Sequence, residues 1–190
     1  MTDDAFWHLI GRAVEQPGDR DERADWLTEE LTRLPVAQIV DFARKLSAVR
    51  LRADTWAMWA AANVVYRGSC SDDSFWYFQL WLLTLGRAEF DRVVADPDTL
   101  ADVPAVRSLA ARPMREWADQ DWPEWESLDY AAHEAHQEVT GQECGLEQLL
   151  DLPQCPEPAG PPLDPAEHPA ALPRLTALFA PAPMELTGLP

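Results

Sequence analysis

"GSCSDDSFWYFQLWLLTLGR", residues 68–87, is the stretch that decides the fold. Wound at 3.6 residues per turn, Phe75, Trp76, Tyr77, Phe78, Leu80, Trp81, Leu82, Leu83 and Leu85 fall on nearly every face. A helix that is apolar all round has to be covered all round. Residues 74–85 are therefore expected to form a central helix that the rest of the chain wraps. Gly86 is its natural C-terminal stop. At the other end Ser71 or Asp72 is placed to cap it, and a second carboxylate there meets the positive end of the helix dipole.

Working outward, residues 1–151 read as helix after helix. Asp3 or Asp4 opens a first helix with Phe6, Trp7, Ile10 and Val14 on one face, and Pro17 and Gly18 end it. A second runs from about Asp19 to Leu34, with Trp26, Leu27, Leu31 and Leu34 inward. After Pro35, residues 36–66 keep a helical apolar repeat through Ile39, Ala43, Leu46, Val49, Ala53, Trp56, Ala60 and Val64. Unbroken, that segment would span about 45 Å, and Asp54 marks a place where it can break. Further helices are expected over 87–95, between Pro104 and Arg112, and over 123–140, the last with Pro123 at its start and Gly141 as its stop. No alternating strand pattern of useful length occurs. The expectation is an all-α fold, a compact multi-helix bundle around the buried aromatic helix.

The composition changes near residue 152. Eleven of the 17 prolines lie in residues 153–190, where Phe179 is the sole Phe, Trp or Tyr. Each proline removes a donor and blocks helix continuation, so 152–190 reads as a Pro-rich, largely disordered tail. Its apolar island "LPRLTALFAP" can dock on the parent domain or on a partner, and docking on the parent domain is the expectation.

Charge and cysteine usage narrow the function classes. The 33 acidic against 15 basic residues give a formal charge of -18. Phosphate backbones are held by Lys and Arg clusters, so nucleic acid is not an expected partner. An anionic membrane surface is disfavoured on the same ground, while a basic protein partner is permitted. Cys70, Cys144 and Cys155 form neither an even framework nor a CxxC pair, and read as free thiols of a reducing, cytoplasmic compartment. Acids where a signal peptide needs positive charge, and no run of ~20 apolar residues, point the same way. High Ala, Arg and Pro with few lysines is the composition of a GC-rich bacterial source.

Three groups of residues could carry chemistry. Asp72 and Asp73 are either caps or the polar mouth of an aromatic pocket walled by Trp7, Trp56, Trp59 and Trp81, with Glu134 or Glu138 opposite. Glu134 and Glu138, one turn apart, would be answered by Arg67 or Arg87. Trp117, Trp122 and Trp125 lie in a loop rich in acids, among them Asp119, Asp121 and Glu124. Indoles there either lid the core or form a partner-facing hot spot. "DYAAHEAHQEVTG", residues 129–141, lines up Asp129, His133 and His136 on one helix edge, but the spacing is not HExxH and the three diverge. No metal and no cofactor are expected. Cys70 precedes the central helix, where the dipole would lower its pKa, yet no histidine follows at a useful distance.

"DDAFWHLI", "WAMWAAANVVYRGSCSDDSFWYFQLWLLTLGRAEFDRVVADPDTLADV" and "YAAHEAHQEVTG" together resemble a bacterial family labelled domain of unknown function 4240, over about residues 3–141. The resemblance brings no catalytic residues with it. What it implies is that "SCSDDSF" and "EAHQE" belong to a recurring domain pattern. The residues themselves favour an acidic helical domain that acts by protein–protein contact or regulation, such as an immunity-like or antitoxin-like protein. A small enzyme or ligand-binding protein with the Asp72–Asp73 pocket is the alternative.

Overall fold

The structure, a computed structural model, describes residues 1–150 and 157–180. Among the described residues every named element is helical, and the single β-bridge joins Thr55 to Ala159. The α-helices are α1 (Asp3–Val14), α2 (Arg20–Thr32), α3 (Val36–Arg52), α4 (Trp56–Val65), α5 (Asp72–Trp81), α6 (Arg87–Ala95), α7 (Pro104–Ala110), α8 (Ser127–Thr140), α9 (Gly145–Leu149), α10 (His168–Ala171) and α11 (Pro173–Phe179). Short 3₁₀ turns link several of them, notably Leu82–Leu85 and Pro97–Asp102.

Local chemistry explains the boundaries. Thr2 caps α1 by accepting from Ala5 N–H at 3.2 Å, which leaves Asp3 and Asp4 in the first turn. Asp19 and Glu22 form a reciprocal capping box on α2. The long 36–66 segment does break at Asp54: α3 stops at Arg52, and Thr55 caps α4 through Met58 N–H at 3.0 Å. At α5 the cap is Ser71, whose hydroxyl accepts from Ser74 N–H at 3.1 Å. The helix then tightens into 3₁₀ geometry and stops at Gly86, where φ 79° and ψ 162° suit only glycine.

The expected helix over 123–140 starts later, at Ser127. Pro123 is buried, and Trp125 N–H donates to the Tyr77 carbonyl of α5 at 3.1 Å. That tertiary bond holds the backbone out of helical register until Glu126. At the far end Gly141 supplies the left-handed stop, as expected.

The aromatic segment is central. No residue from Ser74 to Leu85 is exposed. Phe75 rests on Trp59 with ring centroids 4.5 Å apart, and Phe78 lies between Tyr66 at 6.2 Å and Trp81 at 5.5 Å. Around it α8 lies along α2 and α3, and α1 packs on α2. One contiguous apolar cluster runs from Phe6 to Phe179.

The expectation of a disordered tail fails over residues 157–180. Ala159 pairs with the α3–α4 corner, accepting from Trp56 N–H at 3.0 Å and donating to the Asp54 carbonyl at 2.8 Å. The island "LPRLTALF" becomes α11, with Leu172, Leu175 and Phe179 buried on the domain. Proline at N1 suits α11, because the first turn has no use for that N–H. The parts of the tail reading that concern residues 151–156 and 181–190, with Cys155, lie outside the described residues.

Phe78 is wholly buried at the centre of this packing. Phe78→Ala should lower stability by about 3–5 kcal/mol, measured by urea unfolding. A loss under about 1 kcal/mol would mean that α5 is not the helix the others pack on.

Candidate functional site

Two polar arrangements stand out, one inside the bundle and one on its surface. The inner one is built on α5. Gln79, buried among the apolar residues of α5, accepts from the Arg50 guanidinium of α3 and donates to Asp54 Oδ1 at 3.1 Å. The Arg50 guanidinium lies over Trp76, its central carbon 3.4 Å from the ring centroid. Trp76 Nε1–H in turn donates to Asp129 Oδ2 on α8 at 3.2 Å. Burial raises the Asp129 pKa, against the opposing pull of the Trp76 bond and the charges of Arg50 and His133. Among the described residues no buried side-chain nitrogen or oxygen lacks a hydrogen-bond partner.

The outer arrangement is a cleft of about 740 Å³ between the N-termini of α2 and α8 and the Trp-rich loop. Asp19, Asp21, Asp119, Glu124 and Glu126 bring five carboxylates to it, Trp122 supplies an aromatic wall, and Arg20 is the one basic residue of the lining. Arg20 holds the loop in place by donating to the main-chain carbonyls of Glu124 and Asp119. Its own carbonyl accepts from Trp125 Nε1–H at 3.1 Å and from the Ser127 hydroxyl at 3.4 Å.

Beneath the cleft, Trp122 stacks on Tyr66 at 6.0 Å and meets the Trp117 edge at 5.2 Å. The Tyr66 hydroxyl donates to Glu124 Oε1 at 3.0 Å, and the Tyr77 hydroxyl donates to Glu126 Oε1 at 2.9 Å. Burial first, then the Glu124 carboxylate, pushes the Tyr66 pKa well up, so it remains a donor.

The loop residues singled out from sequence thus divide by depth. Trp117 and Trp125 are buried and lid the core, which removes them from any contact surface; Trp122 is half-buried at the cleft. Asp119 is exposed there, and Glu124 is half-buried. Asp121 is turned to structural work, accepting from Ala118 N–H and pairing with Arg112, each at 2.8 Å.

The pocket candidates are more scattered. Asp72 and Asp73 are exposed in the first turn of α5, behind the Ser71 cap. Trp56 and Trp59 do come together, at 5.8 Å, against Phe75. Trp81 stacks on Phe78, and Trp7 packs on Phe6 and on Phe90 of α6. Glu134 and Glu138 are exposed on α8. They are not answered by the expected arginines: Arg87 pairs with Asp3, Asp4 and Asp91, and Arg67 binds the carbonyls of Ala110, Arg112 and Phe179.

The edge of α8 also splits. Asp129 turns to Trp76, His133 Nδ1 lies 3.1 Å from Glu147 of α9, and His136 is buried beside Thr140. Among the described residues no three of His, Cys, Asp and Glu are grouped to hold a metal ion. Cys70 departs from expectation: burial, then Glu124 and Asp72, push its pKa up to about 12. Burial of the thiol, helped by these two carboxylates, sets its pKa.

Arg50 and Gln79 were not singled out from sequence. The available signal is Gln79 itself, the one amide inside the apolar run from Phe75 to Leu83. A polar side chain on a helix with no solvent face needs a buried partner.

Two outcomes test these environments. The folded chain holds the Asp129 proton more tightly than the unfolded chain does. The stability this proton adds is therefore full below the ordinary aspartate value of 3.8 and is lost as pH rises through the folded value. Asp129→Asn cannot ionise, so its stability should gain on the wild type as pH rises above 3.8; parallel urea curves with a constant gap would contradict this. Cys70 should be alkylated by iodoacetamide at pH 8 more than about tenfold more slowly than free cysteine. An equal rate would place the thiol in water.

Among the described residues no helix is long and apolar enough to cross a membrane. Neither the curated proteins nor the solved structures contain a match to this chain. A family model, described as protein of unknown function (DUF4240), matches residues 1–138. Those residues hold α1 to α7, most of α8, the buried Arg50–Gln79 arrangement and the whole acidic cleft. The chain belongs to the DUF4240 family.

Proposed function

We propose that this protein is a binding domain for a basic segment of another protein, which it takes into the acidic cleft beside Trp122. The observation that carries the reading is the cleft lining itself, five carboxylates about one indole. The lone arginine there is already committed to main-chain carbonyls. An arginine or lysine entering the cleft would meet carboxylates at the rim and an aromatic face at the wall, the two groups that best receive a cation. The chain's overall charge of -18 would steer such a partner in from a distance.

The cleft is also pre-organised. Arg20, Trp125 and Ser127 tie the loop to α2 and α8, and Tyr66 and Tyr77 fix the Glu124 and Glu126 carboxylates. Less ordering is then left to do at the moment of binding. An immunity-like or antitoxin-like role, blocking a basic partner by occupying its cationic surface, is the concrete form of this proposal.

An arginine-rich nonapeptide serves as the probe. It should bind the full chain in a salt-sensitive manner, with amide exchange slowed around Trp122 and the N-terminus of α8. Asp119→Asn with Glu126→Gln should weaken binding about tenfold or more. Glu134→Gln with Glu138→Gln removes the same charge further along α8 and should change it less than about twofold. Equal loss in both double variants would reduce the binding to general charge attraction and sink the cleft as its site.

A further inference from the structure

A second surface, independent of the cleft, is the groove between α4, the Pro97–Asp102 turn and α7, where α10 and α11 lie. Its polar centre is Asp98, itself buried. Asp98 Oδ1 accepts from Arg174 N–H at 3.0 Å and from Leu175 N–H at 2.8 Å, and Oδ2 lies 3.2 Å from Arg174 N. α11 has no side-chain cap of its own, so a carboxylate on another element does the capping. Asp102 pairs with the Arg174 side chain. Leu172, Leu175 and Phe179 fill the apolar floor. At the far end Arg67 donates to the Phe179 carbonyl at 3.2 Å and sits 5.3 Å from its ring centroid.

The groove therefore reads one pattern: two successive N–H groups of a helix start, the first belonging to an arginine, and apolar anchors at the first, fourth and eighth positions. α10 and α11 have four and seven residues. Helices that short do not persist alone in water, so this segment is helical because it is docked. The groove lies wholly inside the family-matched residues 1–138, and its occupant lies wholly outside them. Receptor and ligand are separate parts of one chain.

We infer that this groove is a docking site for a short helix of the pattern Leu-Pro-Arg-Leu-x-x-x-Phe on a partner protein, and that residues 172–179 occupy it in cis. The chain's own segment shows what chemistry the groove accepts. Tethering gives it a high effective concentration, so it acts as an internal competitor that a partner helix must displace.

The probe is a synthetic peptide of residues 168–180, titrated calorimetrically into the full chain carrying Leu175→Asp and Phe179→Asp. One peptide should bind per chain, and binding to the wild type should be at least about tenfold weaker because the groove is filled. On the same host, peptides carrying Leu175→Asp or Arg174→Glu should bind at least about tenfold more weakly. No binding to a host with wild-type circular dichroism, or equal binding of all three peptides, overturns the proposal. If the host does not fold, hydrogen exchange on the wild type decides it. Excess peptide should speed exchange at Arg174 and Leu175 while leaving α5 protected, and unchanged exchange there overturns the proposal equally.

Discussion

The stack of the Arg50 guanidinium on Trp76, closed by Gln79, is the contact on which the rest of the architecture turns. Beyond its first turn no residue of α5 is exposed, and at Gln79 there is no water to satisfy a polar side chain. Gln79 is nonetheless there, and Arg50 reaches it from α3. A guanidinium in such surroundings is costly unless its charge and donors are answered. Here they meet an indole face and an amide oxygen, with the Asp129 carboxylate near enough to feel the charge. The arrangement links α3, α5 and α8 and, through Asp54, the corner where α3 gives way to α4. Apolar packing alone would let these helices slide; directional bonds between them fix one register.

That corner has a second consequence. The helix breaks at Asp54, and the Asp54 carbonyl and Trp56 N–H left at the break pair with Ala159. The C-terminal segment is thereby fastened at one end by the corner and at the other by Asp98 and Arg67. A run rich in proline can be ordered in this way because backbone groups of Ala159, Arg174, Leu175 and Phe179 find partners on the rest of the domain.

The tryptophans show how one residue type serves different ends. Trp117 and Trp125 seal the core and spend their N–H groups on the carbonyls of Leu109 and Arg20. Trp122, between them in sequence, stays half-buried because Tyr66 and Trp117 support one side of it and the cleft lies on the other. The acidic loop that looked from its composition like a free surface is a lid with one open edge. The cleft forms at that edge, where α2 and α8 begin and the carboxylates of Asp19, Asp21 and Glu126 gather.

Much of the fold was legible in the sequence. The all-round apolar run required a central helix, and the glycines at 86 and 141 and the prolines at 35 and 104 marked boundaries that were found. These signals are local, set by backbone preference and by the period of the apolar residues. Tertiary contacts decided the rest. Pro123 does not open α8, because Trp125 is tied to Tyr77, and Cys70 is not activated, because the packed chain buries its thiol and brings the Glu124 carboxylate near it. Arg67 and Arg87 do not face Glu134 and Glu138, since each has nearer oxygens to bind. The tail docks because Asp98, some 75 residues upstream, caps its helix. A sequence displays what each segment prefers by itself. Which carboxylate meets which donor depends on where the helices cross, and that was settled only when the core closed around α5.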